Sequence, residues 1–295
     1  MDKTIFKGAA TALVTPMKNG EIDFDALARL VDFQIENGID ALVAAGTTGE
    51  SSTLTDDEHV EVIKCVVDRA AGRVPVIAGT GSNDTAYAVK LSNEAEKVGA
   101  DALLLVTPYY NKATQAGLVK MYKEIAANVN KPIILYNVPS RTGVNIEPAT
   151  YAALADTPNI VAIKEACGNI SKIVETMSLV SGKLDLYSGN DDQIVPLMSL
   201  GGVGVISVLS NLLPRETSEM CHAFLAGDIR KAAAMQFKYH KLIDSLFSEV
   251  NPIPVKAAMH RMGFGDGSIR LPLTEMTEKN EAIMLGYMRE AGINV

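Results

Sequence analysis

The chain is poor in the residues that build disulfide frameworks and metal centres. Among its 295 residues are three cysteines and four histidines, and it has no tryptophan. The cysteines are odd in number, far apart and without a CxxC pair, which argues against disulfides, zinc binding or a redox dithiol. The histidines have neither HExxH nor another ligand spacing. We therefore predict reduced thiols and no catalytic metal.

Positive charge is also scarce. There are 27 Lys and Arg against 35 Asp and Glu, which gives a formal net charge of -8. This balance disfavours nucleic acid and anionic membranes as partners. No run reaches the roughly 20 apolar residues needed to cross a bilayer, and the first ten residues lack the features of a signal peptide. We expect a compact, soluble, cytoplasmic protein.

Short apolar runs rich in Val, Ile, Leu and Ala recur along the chain, and stretches with helical spacing separate them. This alternation is typical of parallel strands covered by helices. The eight runs are 10–14, 41–44, 74–78, 102–106, 133–136, 160–164, 184–188 and 204–208. Their number favours an α/β fold of the (β/α)8 TIM barrel type. A doubly wound sheet is the alternative, but its GxGxxG motif is missing after the first run, where the chain has TPMKNG.

Helix signals stand between the runs. Asp23 precedes residues 24–36, Thr55 and Glu58 have the spacing of a capping box, and Asp84 precedes a stretch that ends at Gly99. After the last run come helical stretches at 229–247, 254–262 and 277–291. We predict a barrel over 1–227 and a C-terminal helical extension over 228–295 that packs on it. Glycine clusters at 79–81 and 201–204 lack the rest of a phosphate-binding loop, and we interpret both as tight turns.

Lys164 is the first candidate for chemistry. Functional residues of such barrels lie where strands end, and the run 160–164 ends in this lysine. If its side chain points into the barrel, desolvation favours the neutral amine, which can form an imine with a ketone. The alternative is a structural ion pair, for example with Glu165, although adjacent residues of a strand face opposite sides.

Other polar residues end neighbouring strands. Thr47, Tyr110 and Tyr136 carry hydroxyls that can both donate and accept protons. Arg141 could hold a carboxylate through two hydrogen bonds, and the backbone amides of Thr47 and Thr48 could bind another. Each feature alone has a plain structural explanation, such as a surface arginine or a structural hydroxyl. Together with a strand-end lysine they favour an α-keto acid as substrate.

These motifs, in this order, closely resemble the dihydrodipicolinate synthase family of pyruvate-dependent aldolases. The similarity extends through almost the whole chain in GTTGES (46–51), PVIAGTGSN (75–83), TPYYN (107–111), YNVPSRTG (136–143), IKEA (163–166) and NPIPVK (251–256). It implies a class I aldolase without a cofactor, in which a lysine forms a Schiff base with pyruvate and condenses it with L-aspartate 4-semialdehyde. The product would be 4-hydroxy-tetrahydrodipicolinate, in the first committed step of diaminopimelate and lysine biosynthesis.

The resemblance also implies roles for single residues and an assembly. Catalysis would depend on Lys164 as the nucleophile and on a proton relay of Tyr136, Thr47 and the neighbouring subunit's copy of Tyr110. Thr48 would bind the carboxylate of pyruvate and Arg141 that of the aldehyde, while Gly189, Ile206 and Asn251 would line the cleft. The expected assembly is a homotetramer built as a dimer of dimers.

Family enzymes that are inhibited by lysine bind it at a dimer interface. The chain matches that site at Ser51, Ser52, His59, Asn83 and Tyr109. It departs at Asp56, where histidine is common, and at Tyr87, where a glutamate usually meets the ammonium group of the ligand. Because a carboxylate is lost, we expect feedback by lysine to be poor or absent.

Three other functions remain as alternatives at this point. N-acetylneuraminate lyase belongs to the same superfamily, but has a noncharged residue at the position of Arg141. A noncatalytic barrel could bind keto acids without forming an imine. A pyridoxal-phosphate enzyme also uses a lysine imine, but it needs a phosphate-binding loop that the sequence does not show.

Overall fold

The computed structural model describes residues 4–295 and consists of a closed ring of parallel strands surrounded by helices. The strands are β1 (Gly8–Ala12), β2 (Met17–Lys18), β3 (Glu21–Ile22), β4 (Ala41–Ala44), β5 (Val76–Gly79), β6 (Ala102–Val106), β7 (Ile133–Asn137), β8 (Ile160–Glu165), β9 (Asp185–Ser188) and β10 (Gly204–Ser207). The barrel order is β1-β10-β9-β8-β7-β6-β5-β4, and β4 closes it by pairing with β1. Strands β2 and β3 form a separate antiparallel hairpin. The predicted TIM barrel is confirmed.

Helices follow the barrel strands and continue beyond the last one. They are α1 (Phe24–Glu36), α2 (Asp56–Ala70), α3 (Thr85–Lys97), α4 (Gln115–Ala127), α5 (Pro139–Thr142), α6 (Pro148–Leu154), α7 (Ile170–Val180), α8 (Ile194–Ser199), α9 (Pro214–Leu225), α10 (Ile229–Leu246), α11 (Ile253–Arg261) and α12 (Glu278–Glu290). Short 3-10 helices occupy Ser51–Thr53, Asp191–Gln193 and Leu209–Asn211. Within residues 4–295, none of the helices has the length and apolar character needed to cross a membrane.

Capping side chains explain where the first helices begin. Asp23 accepts a hydrogen bond from the amide of Ala26 at 2.8 Å and starts α1. Thr55 and Glu58 form the predicted capping box at the start of α2. Asp84 accepts from the amide of Ala86 at 3.0 Å and starts α3. In each case the side chain satisfies an amide that has no partner inside the helix.

The strands bury side chains on both faces. One set of residues fills the barrel interior: Ala10, Ala41, Val43, Ile77, Ala102, Leu104, Ile134, Tyr136, Ala162, Tyr187 and Ile206. The alternate set, which includes Ile163, packs against the helices. Because side chains alternate along a strand, Lys164 shares the interior with Ala162, and Glu165 faces the helices with Ile163.

The C-terminal helices pack on the barrel as predicted. From α10, Gln236 donates to the carbonyl of Asp191 at 2.8 Å and accepts from the amide of Val195 at 3.2 Å. Between α11 and α12, the guanidinium of Arg270 donates to both carboxylate oxygens of Glu58, at 2.7 and 2.6 Å. The extension is therefore tied both to the loop after β9 and to the start of α2.

One interpretation of a glycine cluster is wrong. Gly79 does not form a tight turn but ends β5. A Cβ atom added there would lie 2.5 Å from the carbonyl oxygen of Ala45, so the position needs glycine because two backbone segments approach each other closely. The segment that approaches it leads directly into Thr47 and Thr48.

Candidate active site

Lys164 lies near the C-terminal end of β8 with its side chain inside the barrel and only 6% exposed. Its Nζ atom is 4.1 Å from the centre of the Tyr136 ring, which stands at the paired position of β7. Burial lowers the pKa of Lys164 to about 7, against a smaller raising effect of the charge of Asp191. A large fraction of the amine is therefore neutral near pH 7, as attack on a ketone requires.

Glu165 is not the partner of Lys164. Its carboxylate accepts hydrogen bonds from Asn137 Nδ2 at 2.9 Å, from the Tyr151 hydroxyl at 3.0 Å and from the amide of Cys167 at 2.9 Å. Burial raises the pKa of this carboxyl group. Within residues 4–295, no carboxylate lies within salt-bridge distance of Lys164, so the ion-pair interpretation of this lysine is wrong.

Two of the three hydroxyl residues meet beside the lysine. Tyr136 is buried, and the side chain of Thr47 lies close enough to its phenol to influence its acidity. Burial raises the pKa of Tyr136, while the charge of Arg141 and the nearby Thr47 side chain lower it. The pair can pass a proton between the lysine region and the loop after β4.

Tyr110 stands apart from this pair. It follows β6 with a left-handed backbone, at φ 73°, and its side chain is 92% exposed. A side chain so exposed has almost no contact with its own chain. Tyr110 therefore does not join Tyr136 and Thr47 within the same chain. A role for Tyr110 in a neighbouring subunit stays a prediction.

Thr48 lies in a tight loop that is stabilised by hydrogen bonds between backbone groups of the loop itself. The amide of Gly49 donates to the carbonyl of Gly46 at 3.0 Å, and the amide of Glu50 donates to that of Thr47 at 3.1 Å. The Thr48 side chain is buried, and its hydroxyl oxygen accepts a hydrogen bond from Asn251 Nδ2 at 3.1 Å. Since its oxygen accepts from Asn251, its own hydrogen remains free to donate to an anion.

Arg141 and Thr48 share a common neighbour. Arg141 is exposed on the short helix α5 and donates to the backbone carbonyl of Asn251 at 2.9 Å. Asn251, itself only 6% exposed, therefore contacts both of the predicted carboxylate-binding residues. The family resemblance implies only that Asn251 lines the cleft, and the structure shows that it contacts both Thr48 and Arg141.

The remaining predicted cleft residues are Gly189 and Ile206, which lie at β9 and β10, on the side of β8 away from β7. Gly189 continues β9 beside β8, with its amide donating to the carbonyl of Glu165 at 2.7 Å. A Cβ added to Gly189 would lie 2.8 Å from that of Ala166, so a larger residue would displace the end of β8. Ile206 is buried in β10 and belongs to the interior set.

Asp56 and Tyr87 are hydrogen bonded to each other. They are the two positions of the expected lysine-binding site that differ from the family pattern. The Tyr87 hydroxyl donates to Asp56 Oδ1 at 2.8 Å, and Lys90 Nζ donates to Asp56 Oδ2 at 2.7 Å. They border a cavity of about 320 Å³ between α2 and α3. Both oxygens of Asp56 are thus already used by groups of the same chain.

The other positions of that site lie around the adjoining loops. Ser51 and Ser52 belong to the 3-10 helix after the Thr48 loop. His59 is buried, and its Nε2 is 2.8 Å from the carbonyl oxygen of Gly79, while Asn83 Nδ2 donates to the carbonyl of Tyr109 at 3.2 Å. The His59 ring is therefore held in place by a hydrogen bond to the last residue of β5.

Sequence reasoning missed several buried charges near the site. Asp191 accepts from the amides of Val208 and Leu209, both at 2.9 Å, and its charge acts on Lys164. Lys256 and Glu50 form a buried ion pair that joins α11 to the Thr48 loop. Lys256 belongs to the NPIPVK motif. A lysine among apolar residues was the one sequence signal that pointed to a buried charge there.

No metal-binding arrangement accompanies these residues. In the described part of the chain, no group of three His, Cys, Asp or Glu side chains could hold a metal ion. The polar groups around the lysine include the hydroxyls of Tyr136 and Thr47, the guanidinium of Arg141 and the buried carboxylate of Asp191. Hydroxyls suit proton transfer, and a guanidinium suits carboxylate binding.

A family model for the Dihydrodipicolinate synthetase family matches residues 5–286. The chain belongs to that family. A 4-hydroxy-tetrahydrodipicolinate synthase of Caldicellulosiruptor bescii is 56% identical over 99% of both chains. As a member of the dihydrodipicolinate synthetase family, the chain is a lyase of the 4-hydroxy-tetrahydrodipicolinate synthase class. The family predicted from the motifs is confirmed.

Solved structures of the family agree with the fold. A chloride-inhibited dihydrodipicolinate synthase of Acinetobacter baumannii, solved in complex with pyruvate, superposes with a TM-score of 0.96 at 46% identity and covers 99% of this chain and 100% of its own. A monomeric dihydrodipicolinate synthase variant superposes with a TM-score of 0.97 at 44% identity, covering 99% of both chains.

Proposed function

We propose that the chain condenses pyruvate with L-aspartate 4-semialdehyde to give 4-hydroxy-tetrahydrodipicolinate, the first committed step of diaminopimelate and lysine biosynthesis. The observation that carries the proposal is a lysine inside the barrel whose pKa burial lowers to about 7. The names of the relatives and the pyruvate complex of the A. baumannii protein support the choice of substrates.

The first step is imine formation at Lys164. The neutral amine attacks the ketone carbon of pyruvate, and the ketone oxygen leaves as water after receiving protons. Tyr136, whose ring centre lies 4.1 Å from Lys164 Nζ, and Thr47 beside it would deliver and remove those protons. Thr48, with its hydroxyl hydrogen free, holds the carboxylate of pyruvate.

The second step forms the carbon–carbon bond. The pyruvate methyl group loses a proton to give an enamine, whose carbon attacks the aldehyde carbon of the second substrate. Arg141 holds the carboxylate of that substrate, and Gly189, Ile206 and Asn251 line its cleft. The aldehyde oxygen takes up a proton and becomes a hydroxyl group. The amino group that the second substrate already carries then attacks the imine carbon, which closes the ring and releases the amine of Lys164. The neighbouring subunit's copy of Tyr110 completes the proton relay.

The proposed assembly is a homotetramer, a dimer of dimers, and two separate surfaces support it. Tyr110 is exposed on one side of the barrel. On another, Phe237 is 76% and Ile229 55% exposed beside a cavity of about 480 Å³ that Val195 and Phe224 also line. Large exposed apolar groups are typical of protein interfaces. One solved relative is a monomeric dihydrodipicolinate synthase variant.

Two coarser features complete the proposal. We assign the barrel to 1–227 and the helical extension to 228–295, since Gly227 ends the loop after α9 and Asp228 caps α10. A cytoplasmic location fits the free thiols of Cys65, Cys167 and Cys221.

Borohydride trapping tests the proposal. Incubation with pyruvate and borohydride, digestion and mass spectrometry should place a pyruvate-derived mass on the peptide that contains Lys164. The Lys164→Ala variant should lose the adduct, while Lys183→Ala, which removes an exposed lysine, should keep it. Addition of L-aspartate 4-semialdehyde should compete with trapping. A folded wild-type protein that acquires no adduct would contradict the aldolase assignment.

A further inference from the structure

A buried ion pair joins the Thr48 loop to the C-terminal helices. Lys256 Nζ donates to Glu50 Oε1, and the two side chains are only 4% and 2% exposed. The second oxygen, Glu50 Oε2, accepts from the backbone amide of Arg270 at 3.1 Å. Both oxygens of one loop carboxylate are thus bonded to residues of the extension.

Stability alone does not explain this pair. Removing two charges from water costs more than their attraction returns in many proteins, and apolar residues of similar volume often replace such pairs without loss. Burial correspondingly lowers the pKa of Lys256. What an ion pair adds over apolar contact is a fixed geometry, because its hydrogen bonds have a preferred length and direction.

The geometry that it fixes concerns the proposed pyruvate site. Glu50 lies two residues after Thr48 in the same loop, and its own backbone is left-handed, at φ 57°. Lys256 lies five residues after Asn251 on the same segment. The link between Asn251 Nδ2 and Thr48 Oγ1, at 3.1 Å, therefore joins the same two segments as the ion pair.

We propose that Glu50 and Lys256 are positioning residues for pyruvate binding, and that they act by holding Asn251 against the Thr48 hydroxyl. The inference rests on the proposed function. Neither residue touches the reacting atoms. The ion pair sets the position of α11 relative to the loop, the Asn251 amide then donates to Thr48, and Thr48 presents its hydrogen to the carboxylate of pyruvate.

The test compares pyruvate saturation curves for borohydride trapping on Lys164. The main variant is Glu50→Gln with Lys256→Met, which removes both charges and leaves no unpaired charge in the interior. We expect the half-saturating pyruvate concentration to rise by about tenfold or more, since small misplacements of binding groups cost up to about 100-fold. The maximum extent of trapping should stay close to that of the wild type, because Lys164 and Tyr136 are untouched.

Asn251→Ala provides a second measurement that does not disturb the ion pair. Asn251→Ala alone should raise the half-saturating pyruvate concentration by a similar factor. When it is combined with the double variant, that concentration should rise by less than about twofold further, because both changes disrupt the same contact with Thr48. Independent, multiplying effects would overturn the proposed route through Asn251.

Arg261→Met is the matched control. Arg261 lies on the same helix as Lys256, and the change replaces a basic residue by the same methionine. It breaks an ion pair whose partner, Glu281, belongs to α12 and not to the Thr48 loop. Its saturation curve should match the wild type. A wild-type saturation curve for the double variant would refute positioning by Glu50 and Lys256. If the double variant fails to fold, a wild-type curve for Asn251→Ala would refute it. The aldolase function then still stands, because the wild type traps pyruvate. Absence of wild-type trapping would instead refute the function itself.

Discussion

At the scale of single residues, the acidity of Lys164 determines the pH dependence of the reaction. Burial lowers the pKa of its ammonium group to about 7, so the amine is protonated and unreactive below that pH and neutral above it. The value of kcat/KM for pyruvate should therefore rise with pH and reach half of its plateau near 7. A coupled assay from pH 5.5 to 9 measures this, with circular dichroism as a control for unfolding. A midpoint near the ordinary lysine value, about 10, would contradict the burial argument.

Candidates for the reactive residues could be named from the sequence, because they occur in short motifs at strand ends. Their partners could not. Lys164 and Glu165 were separated correctly by the alternation of strand residues, which is a local rule. The Glu50–Lys256 pair joins residues 206 positions apart, and no local pattern indicates such a contact. Asn251 is predicted as a cleft residue, but its contacts with both Thr48 and Arg141 depend on how the C-terminal segment packs on the barrel.

At the scale of elements, the close approach of β5 to the loop after β4 links packing to function. Replacing Gly79 by Ala would place a methyl group 2.5 Å from the Ala45 carbonyl, and the loop that carries Thr47 and Thr48 would have to move. We expect a loss of about 1–3 kcal/mol of unfolding free energy and a higher KM for pyruvate. Thermal denaturation and steady-state kinetics measure the two effects.

The control for that substitution is Gly286→Ala in α12. A Cβ there meets no atom within 4 Å, so alanine should stabilise the helix by about 0.5–1 kcal/mol and leave KM unchanged. If Gly79→Ala behaves like Gly286→Ala, the close approach of the two segments does not constrain the site.

The contacts between α2 and α3 bear on feedback by lysine. Asp56 is already bonded to Tyr87 and Lys90, and Tyr87 offers a phenol where a carboxylate would be needed to pair with a ligand ammonium. We expect free lysine to cause little inhibition at concentrations up to about 1 mM. A dissociation constant of that size corresponds to a weak binding free energy of about 4 kcal/mol. An inhibition curve at fixed, half-saturating pyruvate tests this. A midpoint well below that concentration would show that the site binds lysine despite both changes.

Elements themselves were well predicted, because their signals are local. The first three helices start at the predicted caps, and the eight apolar runs became the eight barrel strands. Errors lie at ends: β1 spans Gly8–Ala12 where the prediction was 10–14. The β2–β3 hairpin was not predicted, since strands of two residues are too short to show a period.

At the scale of the whole molecule, the two exposed surfaces predict how the protein associates. A homotetramer should have about four times the 31.5 kDa chain mass in sedimentation or light-scattering experiments. Phe237→Asp introduces a charge into the apolar surface beside Ile229 and should reduce the assembly to dimers. Ile283→Asp, at a position 47% exposed on α12, should leave it intact. A wild-type protein that sediments as a monomer would contradict the assembly and also the role of Tyr110 across subunits.

The dependence of the Thr48 loop on α11 and Arg270 also matters while the protein is being made. All eight barrel strands have been synthesised once Ser207 has emerged from the ribosome, and the nascent chain then contains Lys164, Tyr136 and the Thr48 loop. Asn251, Lys256 and Arg270 emerge only afterwards. A barrel that closes during translation would therefore hold its reactive amine before the proposed keto-acid site is complete, and we expect pyruvate to bind tightly only after the last stretch of the chain has been released.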